Sequence, residues 1–225
     1  MKIITIAICL GFPFLSLVSQ STENKLNVLD RKAYERSIQK NSNKELINLE
    51  KKIPGITLDI KYATRDNFTK QVIYKEPKAF ARKPVAEALR KANLEFLQLG
   101  YSIKIFDAYR PYAATVKFFE IVGDTRYVAS PKTGSRHNKG CAIDLTLVDQ
   151  KTKRELSMPT EYDSFRKEAW AEASVSDPEI LKNRTILIST LSQYGFRVNK
   201  TEWWHYDFLD CSGFEVLDIP FEELE

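Results

Sequence analysis

Ser135-Arg136-His137-Asn138-Lys139-Gly140-Cys141-Ala142-Ile143-Asp144-Leu145-Thr146-Leu147 carries the chain from a polar loop into a strand. The loop spans Ser130 to Gly140 and is rich in Ser, Pro, Thr and Gly. From Cys141 the pattern predicts a strand with two faces: Cys141, Ile143, Leu145 and Leu147 on one, Ala142, Asp144 and Thr146 on the other. An unbroken strand would point His137 and Asp144, seven positions apart, in opposite directions. The Asn-Lys-Gly step interrupts it and frees His137 to fold back. A carboxylate on so apolar a strand needs a partner, because burying it alone is costly. A metal ion would serve, and so would a basic side chain.

Working outward, the second motif is Glu202-Trp203-Trp204-His205, and the chain has only 2 histidines, His137 and His205. Imidazole and carboxylate are ordinary zinc ligands, and a catalytic zinc usually keeps three protein ligands with a fourth position open. His137, Asp144 and His205 would make such a set, with Glu202 beside the metal as a base that takes a proton from water. The plainer alternatives stay open: a histidine next to a tryptophan pair is ordinarily a packed core residue, and Asp144 could simply pair with a lysine. A third element, Asp107-Ala108-Tyr109-Arg110-Pro111, follows a predicted strand. Arg110 could hold negative charge that develops on a tetrahedral intermediate. On its residues alone, a salt bridge to Asp107 that braces the loop is the simpler reading.

Around these motifs the pattern predicts strands at Ile56 to Tyr62, Tyr101 to Phe106, Cys141 to Leu147 and Trp203 to Leu209. Helices are predicted at Pro84 to Leu97, with the apolar stripe Val85, Leu89, Ala92 and Phe96, at Tyr112 to Val122, and at Pro178 to Tyr194, where Gly195 ends the helix. Strands and helices mix without the regular alternation of a doubly wound parallel sheet, so the fold class is α+β. The 225 residues, 43% apolar, suffice for one domain with a full core. A net charge of +4, evenly spread, gives no footprint for nucleic acid.

The amino terminus reads as an address. Met1-Lys2 is a basic start, Ile3 to Val18 an apolar run, and Ser19-Gln20-Ser21 a small-residue cleavage zone. Residues 1–21 are therefore expected to be an export signal, cut after Ser21, which leaves no membrane span. An uncleaved anchor is the alternative, although about 16 residues interrupted by Pro13 are short for a helix that needs roughly 20. Residues 22–52 are highly charged and read as a helical leader apart from the core; residues 53–225 hold the main domain.

At these motifs the chain resembles the D-alanyl-D-alanine dipeptidases, the VanX-type zinc peptidases. The matching stretches are Lys61-Tyr62-Ala63-Thr64 with Asp66-Asn67-Phe68, Asp107 to Pro111, Ser135 to Leu147, and Glu202-Trp203-Trp204-His205-Tyr206. The resemblance implies a small α+β domain with a central antiparallel sheet and flanking helices, shared with D,D-carboxypeptidases and the hedgehog signalling domain. It implies one zinc ion per chain on His137, Asp144 and His205, with Glu202 as general base. It gives Arg110 the tetrahedral intermediate, Ser135 a substrate contact, and Tyr62 and Asp163 the substrate's free ammonium. The substrate it implies is the free dipeptide D-Ala-D-Ala. Around Asp163, Met158-Pro159-Thr160-Glu161-Tyr162-Asp163 departs from the family's usual Met-Gly-Thr-x-Phe-Asp. Export is a second departure: a periplasmic enzyme would meet dipeptides released from the cell wall, which favours turnover over resistance. Cys141 and Cys211, the cysteines left after cleavage, could pair in an oxidising compartment. The alternatives are a peptidoglycan D,D-carboxypeptidase or endopeptidase, and a zinc-bearing binding domain without catalysis.

Overall fold

Every residue from Ala142 to Val148 is buried, so the strand announced by its apolar pattern lies inside a sheet and not at its edge. The computed structural model describes residues 26–224. The predicted signal, residues 1–21, lies outside them. In chain order the first half holds β1 (Val28–Leu29), α1 (Arg31–Lys40), β2 (Leu46–Asn48), α2 (Leu49–Lys52), β3 (Thr57–Leu58), β4 (Phe80–Arg82) and α3 (Lys83–Gln98). The second half holds β5 (Tyr101–Asp107), α4 (Tyr112–Val122), β6 (Ala142–Asp149), α5 (Pro178–Gln193), β7 (Phe196–Asn199), β8 (Glu202–Phe208) and β9 (Val216–Leu217). The main sheet has the order β3-β5-β6-β8-β7. Its pairings are antiparallel except that between β3 and β5. The chain is thus α+β with a mostly antiparallel central sheet.

The predicted stripe of α3 is the stripe that packs: Val85, Leu89, Ala92 and Phe96 are fully buried. Pro178 sits in the first turn of α5, and the Asp177 carboxylate ahead of it accepts from the backbone N–H groups of Glu179 and Ile180. A proline with fixed φ and a side-chain acceptor are what a helix start needs. Among the described residues no helix is long and apolar enough to cross a membrane.

Two expectations are corrected. The 22–52 segment is not a leader apart from the core over its described part. Tyr34, Leu46 and Leu49 are buried, β2 pairs with β4, and the Tyr34 hydroxyl accepts from the Leu46 N–H at 2.6 Å. Its many charges lie on outward faces, and its few apolar residues are spaced too widely for the pattern to announce a core contact. The predicted strand Ile56 to Tyr62 shrinks to β3, because the chain turns into a 3₁₀ helix at Lys61–Ala63. That turn buries Tyr62.

Gly140 shows why the chain breaks before β6. Its φ is +70°, and an added Cβ would lie 2.8 Å from Leu46 Cδ2 and 3.2 Å from the Arg82 nitrogen. Only glycine fits there. Next to it, Cys141 forms a disulfide with Cys211. This ties the start of β6 to the segment between β8 and β9.

Candidate active site

The sheet register assembles the site. Asp107 on β5 stands opposite Asp144 on β6, and Asp144 opposite His205 on β8. His137 comes from the 3₁₀ turn His137–Lys139, and its carbonyl accepts from the Gly140 N–H that closes the turn and from the Arg110 N–H at 3.1 Å. His205 Nδ1 lies 3.0 Å from Asp144 Oδ1 and 3.1 Å from His137 Nε2, and His137 Nε2 lies 3.4 Å from Asp144 Oδ1. Both His137 and Asp144 are buried, and His205 is half-buried.

These distances fit a metal ion. A tetrahedral ion with bonds of about 2.0–2.1 Å separates its ligand atoms by roughly 3.3 Å. The far side of each ring is engaged as well. His137 Nδ1 is 2.7 Å from the Ala108 carbonyl, and His205 Nε2 is 3.1 Å from Asp207 Oδ1. Those acceptors draw the ring protons outward, so two lone pairs and a carboxylate oxygen converge on one point. A cation at that point fits the arrangement. Burial opposes charge on His205, yet the Asp144 and Asp207 carboxylates push it up to about 10. Burial likewise opposes the Asp144 carboxylate, but the two imidazoles outweigh it and hold that group below the ordinary range.

Glu202, at the start of β8, reaches to 3.7 Å from His205 Nδ1. Burial, helped by Asp144, raises its carboxyl above the usual value. Arg110 makes the Asp107 salt bridge and also faces the pocket. Its Nε and Nη2 donate to Asp107 Oδ2 at 3.0 and 2.7 Å, inside the protein and not on its surface. Its guanidinium also lies over the rings of Tyr62 and Phe118 and lines the pocket that holds the histidines. Burial opposes its charge, but Asp107 outweighs burial and keeps it protonated. Ser135 lines the same pocket, and its Oγ accepts from the Asn138 N–H at 3.2 Å.

Tyr62 and Asp163 meet. The Tyr62 hydroxyl donates to the Asp163 carboxylate, 3.0 Å from Oδ2 and 3.2 Å from Oδ1. Asp163 has φ +58°, a left-handed backbone uncommon for a residue with a Cβ. Burial, with Asp144 nearby, raises its carboxyl well above the ordinary range. The pocket encloses about 450 Å³, within the range of small-molecule sites. Phe165, Trp170 and Tyr127 stand exposed at its wall.

Every residue singled out from the sequence therefore lines this one pocket: His137, Asp144, His205, Glu202, Arg110, Ser135, Tyr62 and Asp163. Sequence reasoning missed Asp207 and Tyr162 as partners of the convergent residues. Asp207 was within reach, since it stands two positions after His205 on the same strand. The aromatic wall, from irregular loops, carried no periodicity by which to find it.

The chain matches the family model described as D-ala-D-ala dipeptidase, peptidase M15, over residues 42–222. It is similar to the D-alanyl-D-alanine dipeptidase of Escherichia coli strain K12, 32% identical across 79% of this chain and 91% of that protein. A D-alanyl-D-alanine dipeptidase of Enterococcus faecalis is 30% identical across 72% of this chain and 90% of that one. Among solved structures, the LdcB LD-carboxypeptidase is a distant likeness, with 18% identity, coverage of 75% of this chain and 69% of that one, and a TM-score of 0.43.

Proposed function

This chain belongs to the D-Ala-D-Ala dipeptidase family of M15 peptidases, and from that premise we propose that it hydrolyses free D-Ala-D-Ala to two D-alanines, using one zinc ion per chain. One observation carries the reading: the convergent atoms of His137, Asp144 and His205 share a pocket with the buried carboxylate of Asp163.

His137, Asp144 and His205 would hold the zinc, which when bound supplies a Lewis acid for the peptide carbonyl and makes water more acidic. Glu202, its proton affinity raised by burial, takes the proton of the attacking water and passes it to the departing amine. Arg110, kept charged by Asp107, faces the negative charge that develops on the former carbonyl oxygen. Ser135 contacts the substrate from the loop before His137.

Asp163 and the Tyr62 hydroxyl receive the substrate's ammonium. A longer or acylated peptide brings no cation to that buried carboxyl and so forgoes the ion pair that a free ammonium makes there, which disfavours such peptides. This is how the pocket would select a free dipeptide.

The protein is exported, with its signal cut after Ser21, and acts in the periplasm on dipeptides released from the cell wall. The basic, apolar, small-residue order of residues 1–21 supports this, as does the Cys141–Cys211 disulfide, since disulfides persist in oxidising compartments. The reading is tested by removing metal with a chelator. D-Ala-D-Ala cleavage is expected to vanish and to return at one zinc per chain, and cleavage that survives full metal removal would refute it.

A further inference from the structure

Each of the three convergent side chains has a second polar atom turned away from the common point. For His137 that atom is held by the Ala108 carbonyl, and for His205 by Asp207. For Asp144 it is Oδ2, and the Tyr162 hydroxyl lies 2.9 Å from it. Tyr162 has one O–H to give and two oxygens within reach, since the Tyr62 hydroxyl is 3.3 Å away. The shorter contact, to a charged acceptor, takes the proton. Tyr62 spends its own on Asp163.

The ring that carries this hydroxyl is itself fixed. It stacks on Phe106 with centroids 4.6 Å apart and meets the edge of Trp204 at 5.5 Å. Trp204 is the neighbour of His205 in the chain. Phe106 precedes Asp107 on β5. The hydroxyl is therefore aimed by packing against two of the strands that present the site.

We propose that Tyr162 is a positioning residue for the metal site: its hydroxyl occupies Asp144 Oδ2 and so turns Oδ1 alone toward the two imidazoles. This rests on the reading that Asp144 holds a metal ion. Without the hydroxyl, the carboxylate is free to rotate about its last bond and to offer either oxygen or both. Partners of this kind, one step behind a ligand, commonly change metal affinity by about 10–100-fold.

Tyr162→Phe tests the proposal, because it keeps the stacked ring and deletes only the hydroxyl. Zinc affinity is measured by competition with a chromophoric chelator, and the visible spectrum of the cobalt-substituted protein reports the ligand geometry. The variant is expected to bind zinc about tenfold more weakly, with a shifted cobalt spectrum and the melting temperature of the metal-free protein close to the parent's. Equal affinity with an identical cobalt spectrum would overturn the proposal, whatever happened to melting. So would a drop in metal-free melting temperature with affinity unchanged, since the tyrosine would then serve the fold alone. If the parent chain itself binds no zinc, the metal reading fails first and the proposal falls with it, so the two failures are told apart by the parent.

Discussion

Asp144 and His205 are cross-strand partners on β6 and β8, and Oδ1 of the one lies 3.0 Å from Nδ1 of the other. Two neighbouring strands thus set two of the three candidate ligands before any loop is placed. His137 completes it from a turn that only a glycine at position 140 allows. Rigid elements hold such groups more accurately than loops do.

Glu202 is the proposed base, and it sits beside the convergent atoms without being one of them. Glu202→Ala is expected to keep one zinc per chain and to lose about 10²–10⁴ in turnover. Metal analysis beside a rate measurement checks this. A metal-replete variant with full turnover would remove the assignment.

Arg110 is asked to serve stability and catalysis at once. Arg110→Met strands the buried Asp107 without its cation and is expected to cost about 3–5 kcal/mol, read by denaturant unfolding. Adding Asp107→Asn should recover part of that stability and none of the turnover. Recovery of turnover in the double variant would show that Arg110 acts through the fold alone.

Asp163 is held well above the ordinary carboxylate range, so its charge and the native state oppose each other. In the unfolded chain an aspartate ionises near pH 3.9. Above that pH the unfolded state has released a proton that the native state keeps, so stability falls as pH rises, by up to about 1.4 kcal/mol per unit, until the raised native value is passed. Asparagine tolerates the same left-handed backbone. Metal-free Asp163→Asn should therefore melt higher than the parent at pH 7, with the difference shrinking toward pH 4. The same variant should lose its preference for a free amine over an acetylated one. A melting difference independent of pH would contradict the account of this carboxyl.

The Cys141–Cys211 disulfide closes a loop of sequence separation 70. Cys211→Ser is expected to cost about 2–4 kcal/mol, or roughly 2–4 °C of melting temperature per kcal/mol for a chain of this size. An unchanged midpoint, or two free thiols in the oxidised parent, would count against the pairing.

The sequence announces regular elements well where a periodic stripe meets a clear stop. Helix α4 runs over Tyr112–Val122 as expected, α3 is one residue longer than expected at each end, and α5 is one residue shorter at its C-terminal end. Short strands such as Phe80–Arg82 and Phe196–Asn199 are invisible to such reasoning, because three or four residues carry too little pattern and pairing with distant segments decides their state. The same holds for α1 and β2, whose few buried side chains are outnumbered by surface charge. In the site, the histidine and carboxylate types allow a metal but leave a packed core histidine and an Asp144–lysine pair open, and the family resemblance decides between them. That Tyr62 meets Asp163 across about a hundred residues depends on a 3₁₀ turn and a left-handed backbone, neither written in the local pattern.

The most direct test of the central claim compares three dipeptides on the zinc-loaded chain from about Thr22 onward: D-Ala-D-Ala, L-Ala-L-Ala and N-acetyl-D-Ala-D-Ala. Amine release from the first alone is the predicted result, since it needs the metal site, the base and the ammonium pocket together. Comparable cleavage of the acetylated substrate would contradict the role given to Asp163 and Tyr62 and would move the chain to the carboxypeptidases.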